Sequence, residues 1–416
     1  MVSQFHLLLM LFLCVCCGCT NQDDDQITPG DIDDRIGFGP SLPQDFEEKI
    51  DFSNYSPKSL VEWCESPQLD ENKKKLIDYL LVNYKKDDCT ELQEKLQTLN
   101  RLAISRDFEG HLDLAPVEKL ENLQVLSIHD TTIKSFYPVR YLENLKELDL
   151  NNVPIQDITP IKYLTNLNKL ELFRTNVNDL SSISQLTSLE RLTLDSDWIL
   201  DISPLNGLVN LKYLFIVIEN VDDLGPINAL INVESLYLAN SNSNNIGAIS
   251  SLTNLTELNL RGIMTDISPI ANLSKITKLT LNGSLNIKDY SPISSLKALK
   301  FLELHDTNFG DLSSLGNLTN LIQLEAKRTN ISDFSAIINF PNIRSIDVAE
   351  TSVRDLSPLS QLQELVALTV AKTLVEDLSP LFGLENLEFI DAADSKVTQE
   401  HAFEAKKALQ INDIWH

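Results

Sequence analysis

Residues 145–166 read LKELDLNNVPIQDITPIKYLTN, and residues 343–364 read IRSIDVAETSVRDLSPLSQLQE. The two stretches share one apolar pattern. In the first it is Leu145, Leu148, Leu150, Ile155, Ile158, Ile161 and Leu164; in the second, Ile343, Ile346, Val348, Val353, Leu356, Leu359 and Leu362. The pattern restarts at residues 123, 145, 167, 189, 211, 233, 255, 276, 299, 321, 343, 365 and 387, a spacing of 22 with a compensating 21 and 23 around residue 276. Leu99, Leu102 and Ile104 form a degenerate copy in front. A fixed period of this length identifies stacked units, none of which can bury its own apolar side alone.

The offsets give the shape of one unit. The opening L-x-x-L-x-L alternates with the period of a strand buried on one face. Asp-(Ile/Leu)-Ser-Pro-(Ile/Leu) then recurs, as Asp201–Leu205, Asp266–Ile270, Asp355–Leu359 and Asp377–Leu381. Asp accepts from the free N–H groups that open a helical turn, and Pro has no N–H to leave unpaired there. The later apolar residues step nearly by threes, which suits a short 3₁₀ or α turn. Each unit is therefore a strand, a corner and a helical turn back. Stacking makes an α/β solenoid with a parallel sheet along one side.

These residues resemble the leucine-rich repeats of the internalins, bacterial surface proteins with 22-residue repeats. The resemblance covers residues 100–395 and implies a horseshoe that binds partners on its concave sheet. The usual Asn after the strand is mostly Thr or Ser: Thr131, Thr175, Ser241, Thr307, Thr329, Thr351 and Thr373. A hydroxyl still serves such a corner. Host adhesion does not follow from the repeat alone.

Residues 5–17 form an apolar run of signal-peptide length, too short to span a bilayer as a helix, although Met1 to His6 carries no Lys or Arg. The run ends Cys16-Cys17-Gly18-Cys19. Gly18-Cys19 resembles the lipobox of bacterial lipoproteins, with Cys16 where Leu is commonest. The resemblance implies acylation of Cys19 and attachment to the cell envelope; simple cleavage with secretion, or a retained anchor, stays open. Residues 1–18 are read as the signal peptide and 19–55 as an acidic tether rich in Asp. Residues 56–98 form a helical front cap, 99–395 the array and 396–416 a helical rear cap. The front cap has helices over 71–83 and 90–99. In the rear cap, Ala402, Phe403, Ala405 and Leu409 share the inner side, with Ile414 and Trp415 tucked below.

Cys64 and Cys89 remain after the leader. Two readings stand: a disulfide if the chain is exported, or two free thiols if it is cytosolic. The net charge of −26 would repel a phosphate backbone, so nucleic acid is not an expected partner. No nucleophile, phosphate-loop or metal motif appears, the six His are scattered and read as surface residues, and neither catalysis, metal nor cofactor is expected. Outward strand positions are mostly polar. The exceptions are Tyr213, Phe215 and Val217 on one strand, Phe173 two copies before, Tyr237 one copy after, and the outlier Phe301. A contiguous aromatic patch on a polar face is what binding sites look like, and a protein is the expected partner of a monomeric chain, with peptide or glycan as alternatives. The competing explanation is that β-forming residues are simply favoured in strands. Two other functions stay open: an intracellular scaffold or regulatory subunit, and a structural envelope protein.

Overall fold

The computed structural model describes residues 55–105, 111–240, 242–410 and 414–415, all within one compact unit, Tyr55–His416. The signal peptide, Cys19 and nearly all of the tether lie outside the described residues, as do Ser241 and the side chain of Trp415.

Three helices open the fold: α1 (Leu60–Cys64), α2 (Glu71–Tyr84) and α3 (Cys89–Gln97). Strands β1 (Arg101–Ile104), β2 (His111–Asp113), β3 (Val125–His129), β4 (Thr132–Ser135), β5 (Glu147–Asn151), β6 (Lys169–Phe173), β7 (Arg191–Asp195), β8 (Tyr213–Val217), β9 (Ser235–Asn240) and β10 (Glu257–Gly262) follow. The array continues through β11 (Lys278–Thr280), β12 (Phe301–Glu303), β13 (Gln323–Glu325), β14 (Ser345–Asp347), β15 (Ala367–Thr369) and β16 (Phe389–Asp391). Helix α4 (Gln399–Leu409) and the two-residue strand β17 (Ile414–Trp415) close it. All but β2 and β4 join one 15-stranded sheet in chain order. Pairing is parallel and keeps equivalent residues opposite one another, as with Leu126, Leu148 and Leu170. Between strands the chain returns through 3₁₀ turns such as Ser203–Gly207 and Ser268–Asn272. The period-22 apolar residues are buried in one continuous core.

The Asp of the corner sits two residues before the turn begins. Asp201 Oδ1 accepts from Ser203 N–H at 2.8 Å and Asp355 Oδ1 from Ser357 N–H at 2.8 Å. A second device sits just before most strands of the array. Asn144 Nδ2 donates to Glu121 O, Asn232 to Val209 O, Asn254 to Ile231 O and Asn342 to Thr319 O, at 2.7–3.0 Å. Each bond crosses to the preceding copy, so the asparagines lace the stack along that edge and satisfy carbonyls the sheet leaves open.

The hydroxyl corner divides into two kinds. Thr307, Thr329, Thr351 and Thr373 each donate Oγ1 to the carbonyl three residues back, at 2.6–2.8 Å. Thr131 and Thr175 Oγ1 are buried without a partner. In the copy starting at 233, buried Asn240 donates Nδ2 to Val221 O at 2.8 Å. A hydroxyl with a partner is worth about 1 kcal/mol, and one buried without a partner costs a similar amount. Thr351→Val is therefore expected to lower stability by about 1 kcal/mol. Thr175→Val should leave it unchanged or raise it slightly. Urea titrations of the two variants check this, and equal losses would refute it.

Outside the middle of the array a left-handed residue follows the strand, directly after β3, β5 and β6 and three residues on after β12 to β15. Asp130, Asn152, Arg174, Asp306, Arg328, Glu350 and Lys372 have φ of 51–58°. In the second half these residues alternate in sign. Arg328 Nη2 meets Asp306 at 2.6 Å, and Glu350 lies 3.7 Å from Arg328 and 3.9 Å from Lys372. In the copies starting at 189, 211 and 233 the equivalent residues are Ser196, Ile218 and Asn240, which are buried and not left-handed. β9, in the last of these copies, and β10 after it reach six residues each.

Both caps depart from expectation in detail. Tyr55, read as the end of the tether, donates to Glu118 at 2.9 Å and belongs to the front cap. In α4, Ala402 and Ala405 are buried and Leu409 packs on the core, but Phe403 is 70% exposed. Successive helical residues are turned about 100° apart, so Phe403, directly after buried Ala402, falls on the outer side. Ile414 is buried and pairs with Ile390 as β17 extends the sheet. Cys64 and Cys89 are bonded, tying the end of α1 to the start of α3.

Candidate binding surface on the concave sheet

Strand alternation sends the leucines inward and leaves three outward positions per copy. Tyr213 and Phe215 alternate with buried Leu214 and Ile216 on β8. Parallel register places Phe215 between Thr193 and Tyr237, and Tyr213 between Arg191 and Ser235. Phe215 and Tyr237 stack with ring centroids 4.2 Å apart and planes 11° apart. Phe173 meets Phe215 at 6.1 Å, tilted by 54°. All four rings are half-buried.

Cations frame them. The Arg191 guanidinium lies 4.3 Å from the centre of the Tyr213 ring, and that of Arg174 5.3 Å from the Phe173 ring. These are cation–π distances. Glu171, two residues before Phe173 on β6, has its pKa raised by burial.

Two of the six expected residues fall outside this cluster. Val217 is only 2% exposed. Strand β8 runs on into buried Ile218 without a left-handed turn, so Val217 stays enclosed between the registered Asp195 and Ala239 and offers no surface. Phe301 lies on β12 between Lys278 and Gln323, without an aromatic neighbour in its row.

The histidines on this face are more engaged than isolated surface residues. His129 Nε2 contacts Asp149 at 2.7 Å, and His305 Nε2 contacts Glu325 at 2.8 Å. The hydrogen bond to Asp149 raises the His129 pKa against the opposing effect of burial. Burial pulls His305 down, but the bond to Glu325 and its charge outweigh it and leave the pKa raised. Glu303, Glu325 and Asp347 occupy one row on adjacent strands, and burial raises Asp347. Like charges placed directly opposite each other destabilise a sheet. Lys278, 3.0 Å from Glu303, and His305 offset this. Among the described residues, no group of three His, Cys, Asp or Glu converges to hold a metal ion.

A further cluster escaped the outward-strand survey because it lies on the turns. Arg140 sits 4.1 Å from the Tyr163 ring centre and 4.7 Å from that of Tyr137. Tyr141 and Tyr163 are one 22-residue period apart, a signal the sequence did contain.

A family profile for leucine-rich repeats (two copies) matches residues 121–163. No curated protein sequence matches the chain. Among solved structures, the chain is similar to an internalin, inlF, of Listeria monocytogenes. The two are 26% identical, the match covers 78% of this chain and 95% of that one, and the TM-score is 0.67. A leucine-rich-repeat protein of Leptospira interrogans shares the fold at 20% identity, with 86% and 97% covered and a TM-score of 0.70. So does a plant peptide hormone receptor in complex with its hormone, at 17% identity, with 72% and 52% covered and a TM-score of 0.52. Such solenoids are typically binding scaffolds rather than enzymes. No helix among the described residues is long and apolar enough to cross a membrane. With its 22-residue period, 15-stranded parallel sheet, 3₁₀ returns and likeness to these structures, the chain folds as a leucine-rich-repeat solenoid similar to that internalin.

Proposed function

We propose that the protein is an exported lipoprotein, held at the cell envelope through acylated Cys19 and spaced from it by the acidic segment 19–55. Its concave sheet binds a protein partner, and it performs no catalysis. The observation that carries the binding reading is the ring cluster of Phe173, Phe215 and Tyr237, flanked by Tyr213 with Arg191 above it. β-propensity explains an aromatic residue in a strand, but not several rings gathered on one otherwise polar face. Phe215 and Tyr237 each spend one ring face on the other, so the cluster presents mainly edges. Sugars stack on open faces, which favours a protein partner over a glycan. The disulfide between Cys64 and Cys89 supports export, because such bonds persist in oxidising compartments.

Two measurements test the proposal. The intact mass of the mature protein should correspond to a chain starting at Cys19 with added acyl groups, and a chain starting at Met1 refutes export. With a partner captured by the mature protein, Phe215→Ser combined with Tyr237→Ser should weaken binding by about 2 kcal/mol, the scale of an interface hot spot. Unchanged affinity with an unchanged melting temperature removes the patch from the binding surface.

A further inference from the structure

Trp198 and Leu200 are 56% and 68% exposed, on the loop that leaves β7. Nothing in the repeat asks for apolar residues there. One period earlier the same positions are Asn176 and Asn178, and one period later Asn220 and Asp222. Between them Ile199 is buried, so Trp198 and Leu200 point away from the core on the same side. The loop is held in place. Ser196 Oγ donates to Val177 O at 2.7 Å and accepts from Trp198 N–H at 3.4 Å. Asn220 Nδ2 donates to Asp197 O at 2.7 Å, bracing this loop on the next. A large apolar pair on a braced loop loses little entropy on binding.

The surroundings select what covers it. Asp197, Asp201, Asp222 and Asp223 stand exposed on these two adjacent loops. Across residues 192–260 the chain carries eight carboxylates and a single cation, Lys212. Residues that bind Trp198 and Leu200 would meet this field at short range, where it attracts cations and repels acidic or phosphate-bearing partners.

We infer that the rim formed by the loops after β7 and β8 is a docking surface for a basic amphipathic segment of a protein partner. Its large apolar side chains cover Trp198 and Leu200, and its Lys and Arg side chains face the surrounding carboxylates. The surface uses none of the concave rings, so the two can fail separately.

The probe is a synthetic amphipathic helix of Leu and Lys, with a Leu and Glu helix of the same length as control, added to the full chain. The Leu–Lys helix should bind and shift the Trp198 emission to the blue, and the Leu–Glu helix should not. Trp198→Ser and Leu200→Ser should each raise Kd about tenfold, equivalent to about 1.4 kcal/mol. Both side chains are exposed, so each variant should keep the parent's melting temperature, and either one suffices if the other is lost. Asp197→Asn with Asp222→Asn should weaken binding and reduce its salt dependence. Equal binding of the two helices overturns the inference. So does binding that Phe215→Ser weakens while Trp198→Ser and Leu200→Ser leave it intact, which would place the helix on the concave rings. A blue shift with neutral phosphatidylcholine vesicles and none with the Leu–Lys helix would assign the surface to lipid and overturn it as well.

Discussion

Replacing Glu118 with Ala is expected to destabilise the front cap by about 3–5 kcal/mol, the range for breaking a buried charged network from one side. The Glu118 carboxylate is 1% exposed. It accepts from the Tyr55 hydroxyl at 2.9 Å, from Lys58 N–H at 2.7 Å and from the Trp63 indole N–H at 3.0 Å. Removing it strands three donors and opens a cavity under α1. A solenoid need not unfold as one unit, so the loss should appear as an early transition confined to the cap. Trp63 is buried in the cap and reports on it through its fluorescence. A melt in which the Trp63 signal moves by less than about 1 kcal/mol would contradict the assignment.

The charge state of Glu118 sharpens the experiment. Burial raises its pKa, while the bonds from Lys58, Tyr55 and Trp63 partly counter the rise. An acid whose folded pKa lies above its unfolded value adds stability in acid and loses that contribution as pH rises through the folded value. Glu118→Gln carries no proton to lose. It should flatten this part of the pH dependence and cost less than Ala, since its amide oxygen still accepts. Nearby, Lys73 bridges Asp113 at 2.9 Å and Asp70 at 3.0 Å, so α2 is anchored to the first copies by charge as well as by packing.

Reducing the bond between Cys64 and Cys89, or replacing both with Ser, is expected to cost about 3 kcal/mol on the chain-entropy account. The bond spans a separation of 25 residues and encloses all of α2. An array that exposes an apolar end needs its cap, so loss of the cap should also bring fraying of β1 and β3. Circular dichroism melts with and without reductant, read beside Trp63 fluorescence, measure both effects. Superimposable melts would show that α1 and α3 hold together without the bond. The Glu118 and disulfide variants act on the same small cap, so their effects should not add fully.

Much of the architecture was legible because a period of 22 leaves few solutions. Leu145, Leu148 and Leu150 cannot all be buried unless strands stack in register, and the Asp-x-Ser-Pro corner marks where each return turn begins. Position in the repeat also identified which residues leave the sheet outward, and Phe215 and Tyr237 were found in that way. The Asn edge was equally periodic, yet its meaning depended on knowing that the carbonyl one copy earlier lay within reach.

The sequence by itself determined the repeat, the buried face, the parallel sheet and the outward columns, because strand alternation and apolar burial are local rules applied thirteen times. Tertiary structure decided the rest. Val217 is enclosed because Ser196, Ile218 and Asn240 bury side chains where other copies turn left-handed, and this changes where the chain leaves the sheet. Glu118 and Asp113 are buried because the cap folds over them and removes water. The cation–π pair of Arg191 with Tyr213 likewise exists only once the strands are registered. In each case the side chain's energy depends on what covers it, and a neighbour one period or more away in sequence supplies that cover.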